Sequence, residues 1–121
     1  MEALARLIRT IGYALAGLAS MFRTERNARL HALGAVVLVA LSTWAGLGRL
    51  EWALVAAGVL LVLSAEAMNT AVETVVDHVQ PEWHEAARRA KDVAAGAVLL
   101  AFLFEVAVAA IVVLPALLDR G

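Results

Sequence analysis

Trp52-Ala-Leu-Val-Ala-Ala-Gly-Val-Leu-Leu-Val-Leu-Ser-Ala65 runs without a charge directly into Glu66-Ala-Met-Asn-Thr-Ala-Val-Glu-Thr-Val-Val-Asp77. The first half has the composition of a membrane span. The second half places a carboxylate where such a span is still in the bilayer or only just leaving it, and an ionisable group at that depth marks a functional site. At 100° per residue Glu66, Asn69, Thr70, Glu73 and Asp77 share one side of a helix. Met68, Ala71, Val72, Val75 and Val76 keep the rest largely apolar. The polar strip is therefore the expected working surface.

The totals agree with a membrane protein. Of the 121 residues, 63% are hydrophobic and 17% charged. Mean hydropathy is +0.83. Soluble domains are closer to half apolar and a quarter charged. The length suits a single domain spanning 1–121. A net charge of -1 gives no reason to invoke nucleic acid. The absence of cysteine removes disulfides, thiolate nucleophiles and zinc-thiolate sites. The charged start, with Glu2, Arg6 and Arg9, does not read as a signal peptide.

Outward from the strip, the chain reads as three spans and one surface helix. Leu4, Leu7, Ile8, Ile11, Leu15, Leu18 and Phe22 recur at steps of three and four, opposite Glu2, Arg6, Arg9, Tyr13 and Ser20. This predicts an amphipathic helix over 3–22, lying in the membrane interface because its polar face is basic. A polar hinge, Arg23 to Arg29, follows. Leu30 to Gly48 carries no charge over 19 residues, close to the ~20 that cross a bilayer. Gly46 to Glu51 reads as a tight turn; its Gly-x-Gly lacks the strand and third glycine of a nucleotide fingerprint. The second span covers about 52–78. Pro81 stops its helix, since it cannot donate a backbone N–H. Ala86 to Asp92 restarts one, and 93–114 is the third span, with Pro115 marking its exit.

Five cations precede the first span (Arg6, Arg9, Arg23, Arg26, Arg29) and three lie between the second and third (Arg88, Arg89, Lys91), against Arg49 and Arg120 on the other side. The positive-inside rule puts the N-terminus and the second loop in the cytoplasm. Glu25, Glu66, Glu73, Asp77 and Asp92 then converge at one membrane face. Such an oxygen-only set suits Mg²⁺. With arginine and lysine beside it, this is the inventory of a phosphoryl-transfer site, where a spare carboxylate can act as base toward a hydroxyl. The same carboxylates could instead form structural ion pairs or line the path of a small transporter. No Walker A motif, kinase glycine loop or His-Glu-x-x-His is present.

Glu66-x-x-Asn69-Thr70-Ala-Val-Glu73-x-x-x-Asp77 resembles the signature of the small prokaryotic diacylglycerol kinase and undecaprenol kinase family. The likeness extends to Arg6, Gly12-Tyr13, Thr24-Glu25-Arg26-Asn27 with Arg29, Glu82-Trp83-His84 and Ala90-Lys91-Asp92. It implies an all-α homotrimer of three-span subunits in the bacterial inner membrane. Composite sites on the cytoplasmic side would transfer the γ-phosphate of Mg-ATP to a lipid hydroxyl. By that resemblance Glu66 is the base, with Asn69 beside it, and Glu25 and Glu73 hold Mg²⁺. Arg6, Tyr13, Glu25, Glu73, Glu82, Trp83, His84, Lys91 and Asp92 line the nucleotide. Asn27, Arg29, His31, Glu66 and Ala95 meet the lipid. Asp77 is left without a catalytic role and is expected to be structural.

Thr24 to His31 and Ala90 to Leu99 look more like the undecaprenol kinase branch, which carries histidine at the position of His31. The diacylglycerol branch resembles a version with an acidic residue there. Undecaprenol is therefore the expected acceptor, with diacylglycerol as the alternative. Trp83 replaces the family's more usual tyrosine and keeps a donor. Glu105 departs further: it lies 13 residues past Asp92, roughly 20 Å along the helix, where the family is apolar. An ionised carboxylate near mid-bilayer costs several kcal/mol, so Glu105 is expected to be neutral and to face another helix or a subunit seam.

Overall fold

The computed structural model describes all residues 1–121. It is helical throughout: α1 (Glu2–Thr24), α2 (Arg26–Ala45), α3 (Arg49–Val79), α4 (Glu85–Val108) and α5 (Leu114–Arg120), the last two joined by a π-helical turn, Ala109–Val113. Three continuous stretches are long and apolar enough to cross a membrane: Arg26–Ala45, Arg49–Val79 and Glu85–Arg120. Antiparallel packing of α2, α3 and α4 brings the start of α2, the end of α3 and the start of α4 to one end of the bundle.

The polar hinge between α1 and α2 is far shorter than Arg23 to Arg29. Only Glu25 leaves helical geometry, and Arg29 Nη1 donates to the carbonyls of Phe22 at 2.9 Å and Arg23 at 3.0 Å. One guanidinium thus satisfies carbonyls that the end of α1 would leave bare. At the other end, α2 stops at Ala45 because Gly46 adopts a left-handed φ of 70°. Such a conformation favours glycine. Gly48 then donates its N–H to Glu51 Oε2 at 2.8 Å, which secures the first turn of α3.

Pro115 does not end the last helix. The chain widens into the π turn just before it, where Leu114 N–H donates to Ala109 O, five residues back. That wider turn accommodates a residue that has no N–H to give and would clash with a regular preceding turn. The helix continues to Arg120, whose guanidinium folds back against Gly46 at the C-terminal end of α2. A cation there is favoured by the α2 dipole.

The packed core lies at this turn end, around Leu38, Ala45, Leu47, Val55, Val108 and Val113. In a bilayer hydrocarbon competes with hydrocarbon, so helix association depends on close packing of small residues. Gly58 provides the clearest instance. A Cβ built on it would sit 3.4 Å from Glu105 Cα, so the buried Glu105 lies directly on the α3 backbone. Glu105 thus faces another helix, as its depth required.

Large apolar side chains cover the outside, among them Leu33, Leu60, Leu61, Leu99, Leu100, Leu103 and Ile111. Along α1 only Met21 is buried. The stripe from Leu4 to Leu18 is exposed.

Candidate functional site

The strip that ends α3 lines two separate hollows, an inner one against α2 and α4 and an outer one against the α3–α4 loop and the start of α4. The inner one, about 260 Å³, is formed by Asn27, His31, Glu66, Asn69 and Ala95 with an apolar wall of Val98, Leu99 and Phe102. Glu66 is only 3% exposed, and its Oε2 lies 3.9 Å from His31 Nε2. That gap exceeds a hydrogen bond. The His31 ring is held edge-on against Phe102, centroids 5.6 Å apart. Glu25 and Glu73 stand close enough for their charges to act on Glu66.

Along the same face, Asn69 Nδ2 approaches Glu73 Oε1 at 3.4 Å. Asn69 Oδ1 and Thr70 Oγ1 are buried with no partner in the chain. Buried acceptors are rarely left so. Two carboxylates and orphaned neutral oxygens form a donor set that suits a hard divalent cation, which takes one or two carboxylates and completes its shell with water or phosphate. No three His, Asp or Glu side chains converge to enclose a metal within one chain.

The outer hollow, about 380 Å³, gathers Glu82, Trp83, His84, Lys91 and Asp92 with Asp77 and Arg88. Arg88 bridges Glu85 and Asp92 at 2.8 Å each, and Lys91 Nζ donates to Asp77 Oδ1 at 2.8 Å. Asp77 thereby acquires a partner that ties the end of α3 to the start of α4. His84 caps α4, its Nδ1 accepting from Ala86 N–H at 3.1 Å. Because the Lys91–Asp77 pair is largely exposed, Asp77→Asn is expected to leave the unfolding temperature nearly unchanged. Thermal unfolding in detergent checks this.

Sequence reasoning placed Arg6 and Tyr13 beside these residues. In the structure both lie on α1, exposed and outside either hollow. Arg29 caps α1 and does not line the inner hollow. Two neighbours escaped the reading. Phe102 closes the inner hollow, and Arg88 organises the rim of the outer one. A signal for Phe102 was present, since Ala95, Leu99, Phe102 and Glu105 follow at three- and four-residue steps on α4.

Three membrane-length helices carry at one end a hollow around a buried carboxylate and a second one rimmed by cations and carboxylates. Comparison with known proteins gives the protein's class. The family described as prokaryotic diacylglycerol kinase matches residues 12–113. A diacylglycerol kinase of Synechocystis sp. is 41% identical over 93% of this chain and 65% of its own length. That of Haemophilus influenzae is 40% identical over 81% of this chain and 83% of its own. An undecaprenol kinase of Bacillus subtilis is 32% identical over 93% of this chain and 91% of its own. The chain belongs to the prokaryotic diacylglycerol kinase family and is a lipid kinase, a phosphotransferase with an alcohol acceptor.

Proposed function

We propose that the protein transfers the γ-phosphate of ATP to the hydroxyl of a membrane lipid alcohol, with Mg²⁺ as cofactor, Glu66 as general base and undecaprenol as the acceptor. The observation that carries this is the inner hollow. Its polar atoms cluster around the buried Glu66, and the wall running deeper is hydrocarbon. The 3.9 Å between Glu66 and His31 leaves room for one hydroxyl oxygen to lie ~2.8 Å from each. The O–H then donates to Glu66 while His31 holds the oxygen, which is the geometry a general base requires. Asn69, bonded to Glu73, spaces the base from the phosphate side.

Glu25 and Glu73 would hold Mg²⁺, which would supply positive charge to offset that of the phosphate. The outer hollow has the aromatic surface and the cations to receive a nucleotide, through Trp83, His84, Lys91 and the Arg88 rim. Glu82 and Asp92 shape its edge. Arg6 and Tyr13 would reach it from α1 of the same or a neighbouring subunit. Homotrimeric assembly is supported by the α3–α4 groove, where Ala65, Ala90, Ala94 and Ala97 let a further helix come close. The basic N-terminal segment supports a cytoplasmic site in a bacterial inner membrane, and the exposed stripe of α1 supports its lying in the interface.

His31 and a hollow with polar atoms for a single hydroxyl favour undecaprenol. Diacylglycerol is the second reading, favoured by the names of the more similar relatives. The test is ATP-dependent phosphorylation in mixed micelles with the two lipids side by side. A higher kcat/KM for undecaprenol is expected. Preference for diacylglycerol replaces the acceptor, and transfer to neither removes the reading.

A further inference from the structure

From the geometry around Glu105, we infer that Glu105 is a positioning residue for the acceptor site, acting through His31. This rests on the lipid-kinase reading above. Glu105 is 92% buried, its relative exposure being 8%. Its carboxyl forms no hydrogen bond or ion pair within the chain. A carboxyl in that state, near mid-bilayer, is costly and calls for a partner.

Its surroundings offer one. Glu105 lines a groove of about 250 Å³ between α2 and α4, in which every other side chain except His31 is apolar or absent. That groove adjoins the inner hollow through a shared wall, His31 and Phe102. The backbone explains why Glu66 and Glu105 converge. Glu105 packs on Gly58, eight residues before Glu66, so the two Cα atoms differ in depth by about 12 Å. Side chains tilt toward the N-terminus of their own helix. In antiparallel α3 and α4 this aims Glu66 inward and Glu105 back toward the site, and His31 lies between them. It is 3.9 Å from Glu66 and lines the same groove as Glu105.

Nε2 is the ring nitrogen on the Glu66 side, so Nδ1 is left for Glu105. A neutral Glu105 carboxyl donating to Nδ1, directly or through one water, keeps the proton on Nε2. The tautomer is set by the bond at the other nitrogen. His31 then presents a donor to the oxygen of the acceptor hydroxyl, leaving its proton to Glu66.

The test is steady-state kinetics of the full chain in mixed micelles, with undecaprenol and ATP varied separately, alongside thermal unfolding. Glu105→Leu is expected to raise the acceptor KM about tenfold, the worth of one hydrogen bond, and to leave the ATP KM unchanged. Glu105→Gln, which keeps a donor for Nδ1, should stay within about twofold. In a His31→Leu background, Glu105→Leu should add nothing, because the two residues act as one unit. Glu105→Leu should also unfold at a higher temperature, since it removes a buried carboxyl. A purely structural glutamate would instead lose stability on replacement. An unchanged acceptor KM in Glu105→Leu, an equal loss with and without His31, or lowered stability together with lost activity overturns the inference while the kinase reading stands. A wild-type protein that phosphorylates no lipid alcohol overturns both.

Discussion

Glu66→Gln is expected to lower kcat for the acceptor lipid by about 10²- to 10⁴-fold, the range that general-base catalysis contributes. The substitution is nearly isosteric at a position 3% exposed, so the packing of α3 against α2 and α4 should survive. A glutamine amide can still bond to the acceptor hydroxyl, which predicts a modest change in acceptor KM. It cannot take the proton, so the loss should fall on turnover. ATP binding, assigned to the other hollow, should be unaffected. Single-turnover phosphorylation with saturating lipid separates these effects. If Glu66→Gln turns over at the wild-type rate, the base lies elsewhere, and the carboxylates nearest it, Glu25 and Glu73, become the ones to test.

Much of this site could be read from sequence because membrane chemistry makes polar residues conspicuous. In a run such as Trp52 to Asp77, hydrocarbon excludes nearly everything except what function requires, so Glu66, Asn69 and Glu73 stand out and helical spacing puts them on one face. Charge counting grouped Glu25 and Lys91-Asp92 with them, and the antiparallel bundle brings those segments to one end. Pairing was less legible. Arg29 caps α1, and Lys91 bonds Asp77 fourteen residues away. Long cationic side chains choose partners by the three-dimensional arrangement of helix ends, which periodicity does not encode. Pro115 was misread for a related reason. Proline breaks a regular α-helix, but a π turn one residue earlier absorbs it, and nothing in Ala109 to Val113 announces that turn. Glu105 shows both sides of the matter: its depth is countable from Asp92, whereas its seat on Gly58 and its place in one groove with His31 depend on helix register.

Glu73→Gln should have the second large effect, and its signature should differ from that of Glu66→Gln. Glu73 and Glu25 are the two carboxylates assigned to Mg²⁺, with Asn69 already leaning on Glu73 at 3.4 Å. Mg²⁺ sites that share the ion with phosphate use only one or two carboxylates, so either loss removes about half of the charge the protein supplies. Residues that merely support metal ligands cost about 10- to 100-fold in affinity or activity when replaced, so a direct ligand should reach at least the upper end of that range. The half-saturating Mg²⁺ concentration should rise accordingly, and excess Mg²⁺ should recover part of the rate. No such recovery is expected for Glu66→Gln, whose defect is in proton transfer. Glu25→Gln should behave as Glu73→Gln does, and the double variant should lose less than the product of the two, because the second change acts on a site already emptied. A Mg²⁺ titration at fixed ATP on the wild type and these four variants reads all of this. Unchanged half-saturation in both single variants would take the metal away from Glu25 and Glu73. The unpartnered oxygens of Asn69 and Thr70 would then have to be satisfied by something else.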